Sequence, residues 1–227
     1  MPLDAAKIHA VLFDIDGTLS DTDDQMMKQA EKVLSPFRLF LDDHKQQAAA
    51  RWLVMAAESS GTYLYNMADR FDLDSLFIKL LDWRTRNRRH RLKEYWLIPG
   101  VGEMLKILAA RLPLGVVSAR DEHSSLAFIN QFDLSGLFNV VVTSQSVRHT
   151  KPFPDPMLFA AERLNILPEH CLMVGDTTVD IRAARLAGMQ SVGVLCGFGR
   201  EKGLRRAGAD LILQSTADLP DALGFEI

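Results

Sequence analysis

Cysteine is scarce in this sequence: Cys171 and Cys196 are the two among 227 residues, each inside an apolar stretch. That excludes a disulfide framework and a CxxC metal site, and it makes a reducing cytoplasm the expected compartment. Long apolar runs are also missing. No segment approaches the roughly 20 uninterrupted apolar residues that a spanning helix needs, so no integral membrane protein is expected. Charge of one sign is lacking as well, since 26 Lys and Arg stand against 29 Asp and Glu for a formal net charge of -3. Such a balance gives no whole-chain field to recruit nucleic acid or an anionic membrane surface. The opening residues, Met1-Pro2-Leu3-Asp4-Ala5-Ala6-Lys7, lack a basic region followed by a long apolar run, and no signal peptide is expected. Internal repeats and low-complexity segments are absent from the sequence too.

What is present is the composition of a globular protein, 48% hydrophobic and 24% charged, with enough length to bury a sizeable core. Short apolar runs recur at Ala10–Phe13, Leu114–Val117, Val140–Val142, Leu172–Val174, Val192–Leu195 and Leu211–Leu213. They are brief and do not alternate with polar residues, as expected of strands covered on both faces of a parallel sheet. Helical patterns separate most of them. Asp155-Pro156 predicts a capping acid followed by proline at the first helical position, opening a helix through Leu164. Asp180 to Ala187, closed by Gly188, predicts another. Alternating strands and helices imply right-handed crossovers and a doubly wound, Rossmann-like α/β fold.

Residues from about 20 to 97 interrupt that alternation with amphipathic helical text and no convincing strand. The expected organisation is therefore a core formed by residues 1–19 and 98–227, with an all-helical cap domain inserted over 20–97. Both crossings between core and insertion are expected to be hinges, with few packed neighbours at the return, Ile98-Pro99-Gly100.

The strongest chemical signal is Asp14-Ile15-Asp16-Gly17-Thr18, directly after the first strand. A carboxylate at the C-terminal end of a parallel strand faces the crevice where open α/β sheets bind ligands, and Gly17 permits the chain to turn so that both acids reach it. Alone, the string reads equally well as an acidic turn. Three further positions bear on the choice. Ser118 follows the second strand, and its hydroxyl and neighbouring N–H groups suit phosphate oxygens, although a lone serine there is usually a turn residue. Lys151 opens the proline-rich Lys151-Pro152-Phe153-Pro154-Asp155-Pro156, a stiff loop that presents an ammonium, against the plainer reading of a solvated lysine. Gly175-Asp176-Thr177-Thr178-Val179-Asp180 follows the fourth strand, where Asp176 or Thr177 also suits a helix cap. Acids, a hydroxyl and an ammonium at successive strand ends favour a magnesium site, with Asp14 and Asp176 as carboxylate ligands beside a phosphate.

In these motifs, their order and their spacing, the sequence resembles the haloacid dehalogenase superfamily, in its phosphatase branch with a helical cap after the first motif. The resemblance spans nearly the whole chain. It implies that Asp14 is the nucleophile, that Asp16 is the general acid and base, and that Ser118 and Lys151 hold the transferring oxygens together with Gly17, Thr18 and Ala119. It further implies Mg2+ bound by Asp14, the Asp16 carbonyl and Asp176, with Asp180 orienting a bound water or Lys151. The substrate implied is a small phosphorylated metabolite, handled by a monomer or homodimer.

Within that family the presence of Asp16 argues against dehalogenases. Mutases of the β-phosphoglucomutase type share the acids, but carry a histidine roughly where Met26 stands and a cap loop that is not found here. A catalytically silent binding module of the same fold is the other alternative. Gly197-Phe198-Gly199-Arg200 and Ala207-Gly208-Ala209-Asp210 are similar to the tail of phosphoglycolate phosphatases. Those enzymes usually have asparagine after the second-motif hydroxyl, whereas Ala119-Arg120 follows Ser118 here; Arg120 is placed either to reach the substrate or to lie on the surface, and the surface is expected. The run Arg84 to Arg91 is expected to be a solvated helix face. Trp52, Tyr63, Tyr65, Trp83 and Trp96 are expected to fill cores.

Overall fold

The computed structural model describes residues 3–21 and 95–225. The chain divides into two units, Met1–Asp23 with Tyr95–Ile227, and Asp24–Glu94. The expectations for the inserted cap, for Met26, for Arg84 to Arg91 and for Trp52, Tyr63, Tyr65 and Trp83 fall outside the described residues.

The first unit is built on six parallel strands: β1 Ala10–Phe13, β2 Leu114–Val117, β3 Val140–Val142, β4 Cys171–Gly175, β5 Gln190–Val194 and β6 Leu211–Leu213. They lie in the order β3-β2-β1-β4-β5-β6. The helices between them are α1 Val101–Ala109, α2 Glu122–Gln131, α3 Asp155–Leu164, α4 Thr178–Leu186 and α5 Glu201–Ala207, followed by the short α6 Leu219–Ala222. Strand order reverses direction between β1 and β4, and the crevice beyond the carboxyl ends of strands at such a point is where this architecture binds ligands.

Why the strands lack polar alternation is visible in the packing. Val11 and Phe13 enter one core with Leu114, Val116, Leu172 and Val174, against Met104, Leu105 and Leu108 of α1 and Phe128 of α2. Ala10 and Leu12 enter a second core on the opposite face, with Met157, Ala160 and Ala161 of α3 and Ala183 and Ala184 of α4. Successive side chains thus point to opposite faces, and both faces are covered. Every residue of β1, β2 and β4 is buried.

Local boundaries differ from expectation in instructive ways. Helix α3 is capped by Pro154, with Asp155 as its first residue; the Asp155 carboxylate pairs with His149 Nδ1 at 2.9 Å instead of capping. Helix α4 begins earlier than expected, because Thr177 caps it in a reciprocal box with Asp180. It ends as its glycine predicts, with Gly188 at φ +79°. The return at Ile98 is not a loosely packed crossing. Asp21 N–H donates to Trp96 O at 2.8 Å and Ile98 N–H to Leu19 O at 3.0 Å, so the outgoing and returning segments pair with each other, and Ile98 is buried. This pairing sets the side-chain register there: Tyr95 is buried, whereas Trp96, expected in a core, is 42% exposed.

Candidate active site

Four loops leave the carboxyl edge of the neighbouring strands β3, β2, β1 and β4, and each carries one of the expected groups to a common place. Asp14 follows β1 and stays in the sheet's register, its N–H donating to Val174 O at 3.0 Å. Ser118 follows β2, held by its N–H on Val142 O at 2.9 Å. Lys151, from the loop after β3, reaches across with Nζ 2.9 Å from Asp14 Oδ1, 2.6 Å from Asp180 Oδ1 and 2.9 Å from Val117 O. The Lys151–Pro152 peptide is cis. Asp176 follows β4. Asp14, Ser118, Lys151, Asp176 and Asp180 are all buried.

A buried charge is stable only when paired and hydrogen-bonded, and that requirement accounts for the arrangement. Asp180 spends Oδ1 on Lys151 and Oδ2 on Thr177, whose N–H and hydroxyl donate at 3.1 Å and 2.6 Å. Burial pushes the Asp14 carboxyl up to about 7, with Lys151 opposing that rise and the Asp180 and Asp16 carboxylates adding to it. Burial alone would lower the Lys151 ammonium, but Asp14 and Asp180 outweigh it and hold the group protonated. Burial sets the first direction and the carboxylates the second, since Asp14 and Asp180 share a single buried ammonium.

Excess acid at such a place suits a cation. Carboxylate oxygens of Asp14, Asp176 and Asp180 lie within 4.8 Å of one another. With both Asp180 oxygens engaged, Asp14 and Asp176 are the carboxylates suited to a hard divalent ion. The surroundings of Asp176 are shaped to keep it in place. Phe198 N–H donates to its Oδ2 at 2.8 Å. A side-chain carbon at Gly17 or Gly197 would collide with that same oxygen, and one at Gly199 with the Asp176 carbonyl. The Gly197-Phe198-Gly199 segment is therefore a backbone cradle for the acid, which explains why it is glycine-rich.

Gly17 and Thr18 serve the turn itself. Gly17 sits at φ +70°, its N–H donates to Ser20 O at 2.9 Å, and Thr18 N–H donates to Ile15 O at 3.3 Å. Thr18 O in turn accepts from Thr216 Oγ1 at 2.6 Å. Their backbone donors are thus engaged within the loop, whereas Ser118 and Ala119 follow Val117, whose carbonyl accepts from the same Lys151 Nζ that pairs with Asp14.

Arg120 corrects the expectation of a surface arginine. Its side chain is 12% exposed, and Nε and Nη2 donate to Asp16 Oδ2 at 2.7 Å and Oδ1 at 2.5 Å. Burial works against its charge, but the Asp16 carboxylate more than compensates and raises the guanidinium further. Its carbon Cζ lies 4.8 Å from the Tyr95 ring centroid and 5.8 Å from that of Phe128. Sequence reasoning singled this residue out, with substrate contact as one reading and the surface as the favoured one, but missed its engagement with Asp16. The available signal was its position, two residues beyond a strand-terminal serine at the edge that also bears Asp16. Neither cysteine is suited to nucleophilic work: burial pushes the Cys171 thiol up to about 11 and raises Cys196 as well.

Comparison with known proteins bears on this geometry. A family model described as haloacid dehalogenase-like hydrolase matches residues 11–194. A phosphoglycolate phosphatase of Escherichia coli K12 is 38% identical over 131 residues, which are 57% of this chain and 52% of that protein. The chain thus spans about half the length of the curated relatives it matches. Among solved structures, a haloacid dehalogenase family hydrolase of Deinococcus radiodurans R1 with bound phosphate and sodium superimposes with a TM-score of 0.71. It is 27% identical, and the match covers 97% of this chain and 96% of that one. A haloacid dehalogenase-like hydrolase of Bacteroides fragilis also gives 0.71 at 23% identity, covering 93% and 99%.

Proposed function

The chain belongs to the haloacid dehalogenase-like hydrolase family, and from that premise we propose that it is a magnesium-dependent phosphatase that hydrolyses a small phosphorylated metabolite through an aspartyl-phosphate. The observation that carries the reading is the buried ion pair of Asp14 and Lys151, beside the acids Asp176 and Asp180 at the sheet's reversal point. A nucleophilic carboxylate, a fixed cation for phosphoryl oxygens and a site for a divalent ion are the parts that phosphoryl transfer needs.

In this reading an Asp14 carboxylate oxygen attacks phosphorus in line, the bond from phosphorus to the ester oxygen breaks, and Asp16 gives its proton to that departing oxygen. Asp16 then takes a proton from the water that attacks the aspartyl-phosphate, releasing inorganic phosphate and restoring Asp14. Lys151, the Ser118 hydroxyl and the Ala119 backbone hold the transferring oxygens and offset their charge. Magnesium, held by the carboxylates of Asp14 and Asp176 and the main-chain carbonyl of Asp16, would supply further charge neutralisation when bound.

The phosphate bound in the Deinococcus radiodurans relative and the phosphoglycolate phosphatase relatives support this choice of chemistry, and phosphoglycolate is the leading substrate. Two free thiols suit a reducing cytoplasm, and no described helix is long and apolar enough to cross a membrane. Phosphate release from a panel of phosphorylated metabolites, measured with and without magnesium, tests the proposal. Release independent of magnesium, or from none of the esters, would contradict it.

A further inference from the structure

Arg120 has no task in the reaction as proposed, yet it is the charged group most closely engaged with the acid that must act. Two of its nitrogens occupy both oxygens of Asp16. The third, Nη1, is buried with no hydrogen-bond partner among the described residues. The main chain beneath it is fixed: Arg120 N–H donates to Ser118 Oγ at 3.2 Å, and Arg120 O accepts from Ser144 N–H at 3.0 Å. Any change at this pair is therefore a movement of side chains, beside the loop that faces the phosphate.

Both Asp16 oxygens face Arg120 in a two-bond fork, and turning the carboxyl toward an ester oxygen breaks that parallel alignment and gives up at least one of its N–H bonds. The guanidinium would then be left with a further unsatisfied donor in a buried setting, which disfavours the step by about tenfold to a hundredfold unless another acceptor arrives. A planar fork of donors is matched best by a carboxylate or phosphate group, which accepts two parallel bonds. Building on the phosphatase reading, we infer that Arg120 passes from Asp16 to a second anionic group on the substrate, freeing Asp16 to act. The site thereby selects phosphate esters whose alcohol part itself carries a carboxylate or phosphate. Against an ester with a neutral alcohol part, Arg120 stays on Asp16 and the acid is withheld.

A matched pair of phosphonates tests this by binding alone, since their carbon–phosphorus bond is not hydrolysed: a short ω-phosphonocarboxylate and the carboxamide of the same length. Calorimetric titration of the magnesium-loaded protein is expected to give about tenfold to a hundredfold tighter binding of the carboxylate, and Arg120→Gln is expected to bring the two affinities together. Arg120→Lys, which keeps the charge without the fork, carries the test if the glutamine variant does not fold, and is expected to narrow the preference. Equal affinities for wild-type protein, no binding of either phosphonate, or a preference unchanged in a folded Arg120 variant would overturn the exchange. Failure to release phosphate from any ester would count against the hydrolysis and leave these affinities to decide Arg120 separately.

Discussion

Asp180 divides its carboxylate between two duties: Oδ1 accepts from Lys151 Nζ at 2.6 Å, while Oδ2 accepts from Thr177, the residue that caps α4. The helix start and the placement of the site's ammonium are thus the same interaction. A lysine from the loop after β3 is fixed by an acid from the first turn of a helix that follows β4.

Asp180→Asn should expose that dependence. An amide keeps one acceptor and loses the charge, so either Lys151 or the cap is left short. Destabilisation of about 2 kcal/mol is expected, since a buried ammonium then has only Asp14 to balance it. Phosphatase activity should fall about tenfold to a hundredfold, as for other residues that orient a functional group. Thermal denaturation and steady-state kinetics measure the two effects, and a variant as stable and active as wild type would contradict them.

Magnesium binding should be coupled to a proton. With the Asp14 carboxyl at about 7 in the metal-free fold against an ordinary 3.8, the folded state binds more protons than the unfolded state between those values. This group's contribution to stability therefore declines as pH rises from about 4 to about 7. A cation competes with that proton, so magnesium affinity should climb with pH up to about 7 and level off above it. Calorimetry in two buffers of different ionisation enthalpy should detect proton release below pH 7; an affinity flat across this range would contradict the assignment of Asp14 as a ligand.

The glycine cradle predicts a metal defect without loss of any acidic group. In Gly197→Ala the added carbon meets Asp176 Oδ2 and lies 2.5 Å from Gly17 O, contacts that only a shift of backbone or carboxylate relieves. Magnesium affinity is expected to drop about tenfold to a hundredfold, read by titration against folded protein. Unchanged affinity would remove the cradle from the account.

How much of this was legible in the sequence depended on distance along the chain. The apolar strands and the groups just beyond them, Asp14, Ser118 and Asp176, could be read because each is local: a buried run that ends, then a polar side chain at the sheet's edge. That the strands run parallel followed from the helices lying between them, whereas their order did not. The pairing of Arg120 with Asp16 escaped because the two are 104 positions apart, and an arginine near a strand end resembles any solvated one until the fold closes. Trp96 was misplaced for another reason. Adjacent residues on paired segments point to opposite sides, and the pairing of Ser20 with Leu97 that sets which side is tertiary. The glycines at 197 and 199 stood out only as part of a tail similar to that of phosphoglycolate phosphatases, whereas it is the close approach of Asp176 that requires them.

The central claim is the covalent role of Asp14, and its most direct measurement is mass analysis of the acid-quenched protein during turnover with magnesium and a substrate ester. The account predicts a phosphoryl adduct on the peptide that contains Asp14 in wild-type protein, and neither adduct nor phosphate release in folded Asp14→Asn. Phosphate release by Asp14→Asn at the wild-type rate would contradict it.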